Sequence, residues 1–271
     1  MRNVIFAIVF LAPPWLKKVI LRWFCGAKFG RKANIGWFSS VIGSYVEMGH
    51  FSTIKPLTLI RCDGAVAIGS YTEVSSFSLL YGCANLHIGD RCYIGPQSLI
   101  NVSEDVTIGN GVGMGARTII FTHGSFLPYT DGYWANFGKV TIGNNVWIAT
   151  GVFVHPGVTI EDSVFVNSRS VISGTVPFGS VMEGFPAKEV SRLDKIRRPV
   201  TPEKRDALIQ NMLTHFVSFL KKARPNFEVY DHRARSVLIR SGKRATWWRC
   251  LVLMENFQLT LRLPGISESS F

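Results

Sequence analysis

The sequence is poor in the features of a disulfide-built, zinc-bound or membrane-spanning protein. It has five cysteines in 271 residues (Cys25, Cys62, Cys83, Cys92 and Cys250) and no C-x-x-C pair. An odd count without that spacing argues against a disulfide framework and a zinc site and fits a reducing compartment. No apolar run approaches the ~20 residues that a helix needs to cross a bilayer. The stretch 4–11 is broken by Pro13 and Pro14, and one charge before it and no clear cleavage site make it a poor signal peptide. Acidic residues are missing altogether from residues 1–34, which hold seven Lys/Arg. Residues 35–190 hold 7 basic and 11 acidic residues, and residues 191–271 hold 16 and 7. The net +12 is therefore +7 and +9 on two flanks around a middle of −4, a split that suits an anionic partner.

Within the N-terminal flank, Leu16, Val19, Ile20, Trp23 and Phe24 fall at i, i+3, i+4, i+7 and i+8, while Lys17, Lys18 and Arg22 face elsewhere. This spacing predicts a short amphipathic helix with the pattern of an interfacial membrane anchor. The alternative is a helix docked on the protein's own core.

The middle of the chain is repetitive. Met48-Gly49, Ile68-Gly69, Ile88-Gly89 and Ile108-Gly109 recur every 20 residues. Between them an apolar residue returns every six within each 20-residue unit: Ile68, Val74, Leu80; Ile88, Ile94, Ile100; Ile108, Met114, Ile120. The rhythm resumes with Ile142, Ile148, Val154, Ile160, Val166, Ile172 and Phe178. A period of six matches neither a helix nor simple strand alternation; it predicts a solenoid of triangular coils, about 18 residues each, with these side chains stacked inward. The residue after the apolar one is often small, as at Gly69, Gly89, Gly115 and Ala149, which suits a corner that clashes with a side chain or needs positive φ. The 20-residue spacing reads as 18 plus two extra corner residues.

One coil is interrupted: residues 121–139 hold a surplus rich in aromatics, and such a long loop in a tight repeat is usually functional. The solenoid should end near residue 190. Thr201-Pro202 then reads as a helix start, with Ile209, Met212, Leu213, Phe216 and Leu220 on one face. Strands are expected over 237–240, 246–254 and 258–263, with a turn at Ser241-Gly242-Lys243. The domains expected are an amphipathic segment 1–32, a solenoid 33–190 and a basic α+β appendage 191–271.

The run IGNNVWI at 142–148, the PGVTI at 156–160 and the closing VP-x3-V-x2-G-x-PAK at 176–188 resemble the bacterial hexapeptide-repeat acyltransferases, in their sugar and polysaccharide O-acetyltransferase branch. Weaker resemblance extends over 33–139. The resemblance implies a left-handed parallel β-helix, a homotrimer, and acetyl-CoA as co-substrate without a metal. The family's catalytic His lies just before the IGNNVWI coil, a position held here by His123. An imidazole there can take the proton of an attacking hydroxyl and return it to the leaving thiolate. Its orienting acceptor could be Asp131, in the same loop, or Glu104, Asp105 or a backbone carbonyl. Asn101, one coil earlier, reads either as an acceptor-binding residue or as a left-handed corner. Tyr133 and Trp134 are candidates to stack on a sugar.

By the same resemblance, coenzyme A lies in a groove lined by Trp147, Ala149, Thr150, Ser168, Arg169 and Ser173, with Lys188 and Arg192 toward its phosphates. The chain departs from the family there: Val166-Asn167-Ser168-Arg169-Ser170 replaces a small I-G-A-G-S stretch. The expected function is O-acetyl transfer to a saccharide or lipid-linked glycan, in the cytoplasm at the inner face of the plasma membrane, with no nucleic-acid partner. N-acetylation of an amino sugar and a non-catalytic scaffold are the alternatives. A γ-type carbonic anhydrase is disfavoured because no close pair of His falls within the solenoid.

Overall fold

A computed structural model describes residues 2–124, 128–133, 135–223, 227–230, 236–241, 247–255 and 258–262. They form two compact units, Met1–Arg197 and Arg198–Phe271. The first is a parallel β-solenoid whose short strands stack into three sheets of seven, nine and seven strands. The coil closes because every sixth residue is buried: Ile68, Val74 and Leu80 are each joined in register to their copies in the next coil. Phe178 is an exception to the predicted rhythm. It is exposed, and Val176 points inward instead, bridged to Ile160. Ser180–Gly184 still pairs parallel with the coil before it, and Ala187–Arg192 then closes the stack antiparallel to Ser180–Gly184.

The step between coils is 19 residues for the first coil, as in Asn34↔Thr53, then 20 up to the loop, as in Leu86↔Val106, and 18 after it, as in Thr141↔Thr159. The two extra residues lie at the corner from the third sheet to the first, where residues 121–139 also emerge. The small residues after the apolar ones serve close approach rather than positive φ. A Cβ at Gly69 would lie 2.4 Å from the backbone of Gly89. Positive φ is taken instead by bulky residues on outer corners, among them Phe51, Leu57, Tyr71 and Phe77. One corner is held by a relay of side-chain carbonyls. Ser70 N–H donates to Asp90 Oδ1 (2.6 Å), Asp90 to Asn110 (2.8 Å), Asn110 to Asn144 (2.8 Å) and Asn144 to Asp162 (2.6 Å).

The three outer faces differ. The first carries Glu47, Ala67, His87, Thr107, Thr141 and Thr159. The second is mixed and includes Glu73, Tyr93, Gly113, Trp147 and Phe165. The third carries one apolar row in unbroken register, Leu59, Leu79, Leu99, Ile119, Phe153 and Val171, which begins beside Ser40 and runs next to a short row of Arg61, Tyr81 and Asn101. None of the six in the apolar row is fully buried.

Two helices, α1 (Arg2–Leu11) and α2 (Pro14–Cys25), close the N-terminal end, and Ile5, Val9 and Leu21 join the core of the first coil. The expected exposure of the α2 cations is corrected. Lys17 is fully buried, and its ammonium donates to Gly36 O and Ser39 O, both at 2.7 Å. Lys18 donates to Ala33 O at 3.0 Å. Leu16 and Ile20, expected on the free apolar face, are half-buried. The reason lies in the peptide geometry. Asn34 and Ser40 donate their N–H groups to the second coil. The carbonyls across the same planar trans peptides, Ala33 O and Ser39 O, therefore point the other way, toward an end where no coil precedes them. The two lysines supply the missing donors.

The second unit contains the helix Pro202–Ala223 and a four-stranded antiparallel sheet of Phe227–Tyr230, Ser236–Ser241, Trp247–Glu255 and Gln258–Arg262. Ile209 and Leu213 are buried, and Met212 of the same predicted face is exposed. The predicted turn at Ser241-Gly242-Lys243 lies largely outside the described residues.

Candidate active site

His123 sits on the enlarged corner. His123–Gly124 pairs antiparallel with Asn136–Phe137, so the loop is zipped at its base. Gly138 N–H donates to Thr122 O (3.0 Å), and a Cβ at Gly138 would fall 2.6 Å from the backbone of Gly157. The imidazole is half-buried and its Nδ1 lies 2.9 Å from Asn101 Oδ1 and 3.2 Å from Ser103 Oγ. Asn101 is 2% exposed, lies on the strand Leu99–Val102, and does not have the left-handed backbone weighed for it.

The partners of that Asn fix the tautomer of the His. The backbone N–H of Ser103 can only donate, and it points at the same Asn101 atom at 3.2 Å, so that atom is the carbonyl oxygen. Thr122 Oγ1 also donates to it at 2.9 Å while accepting from Glu104 N–H at 3.0 Å. An imidazole nitrogen 2.9 Å from a carbonyl oxygen must carry the hydrogen. Nδ1 is therefore N–H, and Nε2 presents its lone pair as a base.

Asp131, expected as an orienting residue, is not brought to His123. It is exposed on the 3-10 turn Tyr129–Asp131, where its carboxylate accepts from the Thr130 hydroxyl at 3.4 Å. Tyr133 is exposed, and Trp134 lies outside the described residues. Residues that sequence reasoning missed surround the imidazole. Phe137 stacks on it at 6.0 Å, Phe121 meets it edge-on at 5.8 Å, and the row continues through Phe153 to His155. Ser103 was findable, since it lies one 20-residue coil before His123.

The predicted groove residues divide between two places. Trp147 stands on the outer face of the second sheet, with its indole laid over Gly113, whose missing Cβ would lie 2.5 Å from the ring. Ala149 and Thr150 leave that strand at the next corner. Ser168 and Arg169 stack on them one coil later, Arg169 N–H donating to Thr150 O at 2.9 Å. Lys188 pairs with Glu183 in the closing antiparallel strands, and Arg192 lies 3.9 Å from Glu189. Ser173 does not join them. It follows Ile172, whose carbonyl accepts from His155 N–H, so it falls on the corner that carries His123. The third sheet thus separates His123 from the predicted donor wall. Among the described residues, no three His, Cys, Asp or Glu side chains converge as metal ligands.

No protein-family model matches the chain. It is similar to the galactoside O-acetyltransferase of Escherichia coli K12, 31% identical over 117 residues, 42% of this chain and 57% of that protein. It is also similar to the putative colanic acid biosynthesis acetyltransferase WcaF of the same strain, 32% identical over 38% of this chain and 56% of that one. The chain thus spans little more than half the length of these two relatives. A putative acetyltransferase of Saccharomyces cerevisiae is 31% identical over 162 residues, 55% of this chain and 79% of that protein. Among solved structures, the polySia-specific acetyltransferase NeuO matches in fold at 17% identity with a TM-score of 0.51, covering 72% of this chain and 92% of that one.

Proposed function

The chain belongs to the hexapeptide-repeat acyltransferases, and from that premise we propose that it transfers an acetyl group from acetyl-CoA to a hydroxyl of a saccharide or lipid-linked glycan. The observation that carries this reading is the hydrogen bond from His123 Nδ1 to Asn101 Oδ1, which leaves Nε2 as a positioned base. In the reaction, Nε2 takes the proton of the acceptor hydroxyl as its oxygen attacks the thioester carbonyl. A C–O bond forms, the C–S bond breaks, and the imidazolium returns the proton to the departing thiolate. Asn101 holds the ring through both steps.

The residues of the second sheet suit the donor. A flat indole, small side chains at the following corner and the cations Arg169 and Lys188 offer an apolar wall ending in positive charge, as a pantetheine and its phosphates require. Since this wall and His123 lie on opposite sides of the third sheet, one copy's base meets another copy's groove in the assembly we favour, a homotrimer. The apolar third face supports this: six adjacent apolar side chains in water mark a contact surface. The basic flanks support a reaction at an anionic membrane surface, the cytoplasmic leaflet of the plasma membrane in this reading. Among the described residues, no helix is long and apolar enough to cross a membrane.

The test is a panel of mono- and oligosaccharides, amino sugars included, incubated with acetyl-CoA. Thiol release is followed, and products are examined by mass spectrometry for a gained acetyl unit. Acceptor-dependent thiol release with an ester product supports the reading. An amide product on amino sugars alone, or no acceptor dependence at all, overturns it.

A further inference from the structure

The inward faces of α1 and α2 are spent on the first coil; their outward faces are not. On α2, Lys17 and Leu21 are buried, whereas Trp15, Val19 and Trp23, offset from them by two residues at i, i+4 and i+8, lie on the opposite side. Trp15 is 71% and Trp23 86% exposed. On α1, Val4, Ile8 and Leu11 form a second exposed apolar row, at i, i+4 and i+7. The two helices touch each other. Around them lie the exposed cations Arg22, Lys28, Arg31 and Lys32, and no acidic residue occurs in residues 1–34. Arg22 lies over the ring of Phe29 and Lys32 over that of Phe51, each with its charge open to water.

We infer that this helical cap is an interfacial docking element for an anionic lipid bilayer, and that it stands the solenoid on end. A surface of aromatic and aliphatic side chains bordered by four cations, with Glu47 beside Lys28 the one acid paired in register with them, matches an acyl boundary beneath anionic headgroups. Because the cap covers the carbonyl edge of the first coil, its outward face points away along the coil axis. His123 then stands at a set height. From Ser40–Ile42 to Ile119–Ile120 the third sheet makes four steps. At about 4.8 Å each they amount to about 19 Å, and the cap adds about 10 Å. Resting on the function proposed above, this selects the acceptor class: a sugar several units out along a membrane-anchored glycan, about 30 Å from the bilayer, rather than one beside the lipid. In a cyclic trimer all three caps face the same way, so the three contacts act together.

The experiment uses the full chain and vesicles of phosphatidylcholine with or without phosphatidylglycerol. Wild type sediments with the anionic vesicles, and salt releases part of it. Trp15→Asp with Trp23→Asp weakens partitioning by at least about tenfold, while soluble saccharides are acetylated as before. Trp15→Phe with Trp23→Phe still binds, but loses the tryptophan quenching that brominated lipids cause in wild type. Failure of wild type to bind, equal binding to neutral vesicles, or quenching that survives in the double Phe variant overturns the docking. Acetyl transfer to a soluble saccharide is scored separately. Its absence from wild type that still binds would strike the proposed activity and leave the docking standing.

Discussion

Asn101 Oδ1 lies 2.9 Å from His123 Nδ1 and also receives the Ser103 N–H and the Thr122 hydroxyl. The amide cannot rotate without setting its NH2 against the Ser103 donor. A neutral, buried side chain thus takes the orienting role that a carboxylate often holds. His123→Ala is expected to fold and assemble as wild type and to lose about 10²–10⁴ of kcat. Circular dichroism, light scattering and thiol-release kinetics check this together. Retention of more than half the activity would remove His123 from the chemistry.

Asn101→Ala leaves Nδ1 only the Ser103 hydroxyl at 3.2 Å, which can donate as well as accept, and so frees the ring to take the other tautomer. The expected loss is about tenfold or more in kcat, with the KM for acetyl-CoA little changed, since a hydrogen bond of this kind contributes about 1 kcal/mol net and its buried remnant costs further. Asn101→Asp keeps an acceptor on Nδ1. It should recover activity relative to Asn101→Ala, with the acidic limb of the rate profile moved to higher pH because a carboxylate favours the imidazolium. Identical pH profiles for wild type and Asn101→Asp would show that Asn101 does not address the imidazole.

Trp147 depends on Gly113 in the same physical sense. The indole occupies the volume where a Cβ would stand, so Gly113→Val must lift it from the sheet. The expected result is a severalfold rise in the KM for acetyl-CoA with kcat nearly kept. Titration of coenzyme A against the Trp147 fluorescence change, isolated by comparison with Trp147→Phe, measures the loss directly.

The solenoid is legible in the sequence because its constraint repeats. Each inward position must be apolar in every coil, so Ile88, Ile94 and Ile100 announce the fold by spacing alone. The rhythm misleads at Phe178, where the register shifts: Val176 takes the inward place, and Ser180–Gly184 makes the last parallel side before the antiparallel strand Ala187–Arg192. The site is harder to read. One coil back from His123 leads to Ser103, but the closer acceptor is Asn101, which the ring reaches by leaning two residues across the corner. The buried face of α2 departs from its apolar periodicity for a related reason. Helical periodicity sorts apolar from charged residues, whereas the first coil needs donors for its outward carbonyls and takes Lys17 and Lys18 from the polar side.

The third face gives a test of assembly. Leu99 and Ile119 are adjacent in register near its middle. Leu99→Lys with Ile119→Lys keeps the inward Ile100 and Ile120, so the coil should fold, while the contact surface acquires two charges that are costly to bury. Light scattering should fall from about three times 30.2 kDa to a single chain, and activity should fall with it, because base and donor wall then lie on separate molecules. A monomer with full activity would refute the shared site.

Lys17 offers a prediction in which pH and mutation check each other. Burial pushes its pKa down from the ordinary 10.5 to about 8. Below about 8 both the folded and the unfolded chain hold the proton. Between about 8 and 10.5 the unfolded chain binds the extra proton, so unfolding becomes harder as pH rises through this window. The cap need not loosen on the way, because a neutral amine keeps two N–H groups for the two carbonyls at 2.7 Å, Gly36 O and Ser39 O. Lys17→Met fills the space but leaves both carbonyls unmet, at a cost of about 2 kcal/mol or more. At pH 7 its Tm should lie below that of wild type. The gap should widen from pH 8 to 10.5, since only wild type gains stability there. Melting curves of the two proteins across that range cancel the contributions of every other lysine. A gap that stays constant or narrows would mean that Lys17 titrates as freely in the folded chain as in water.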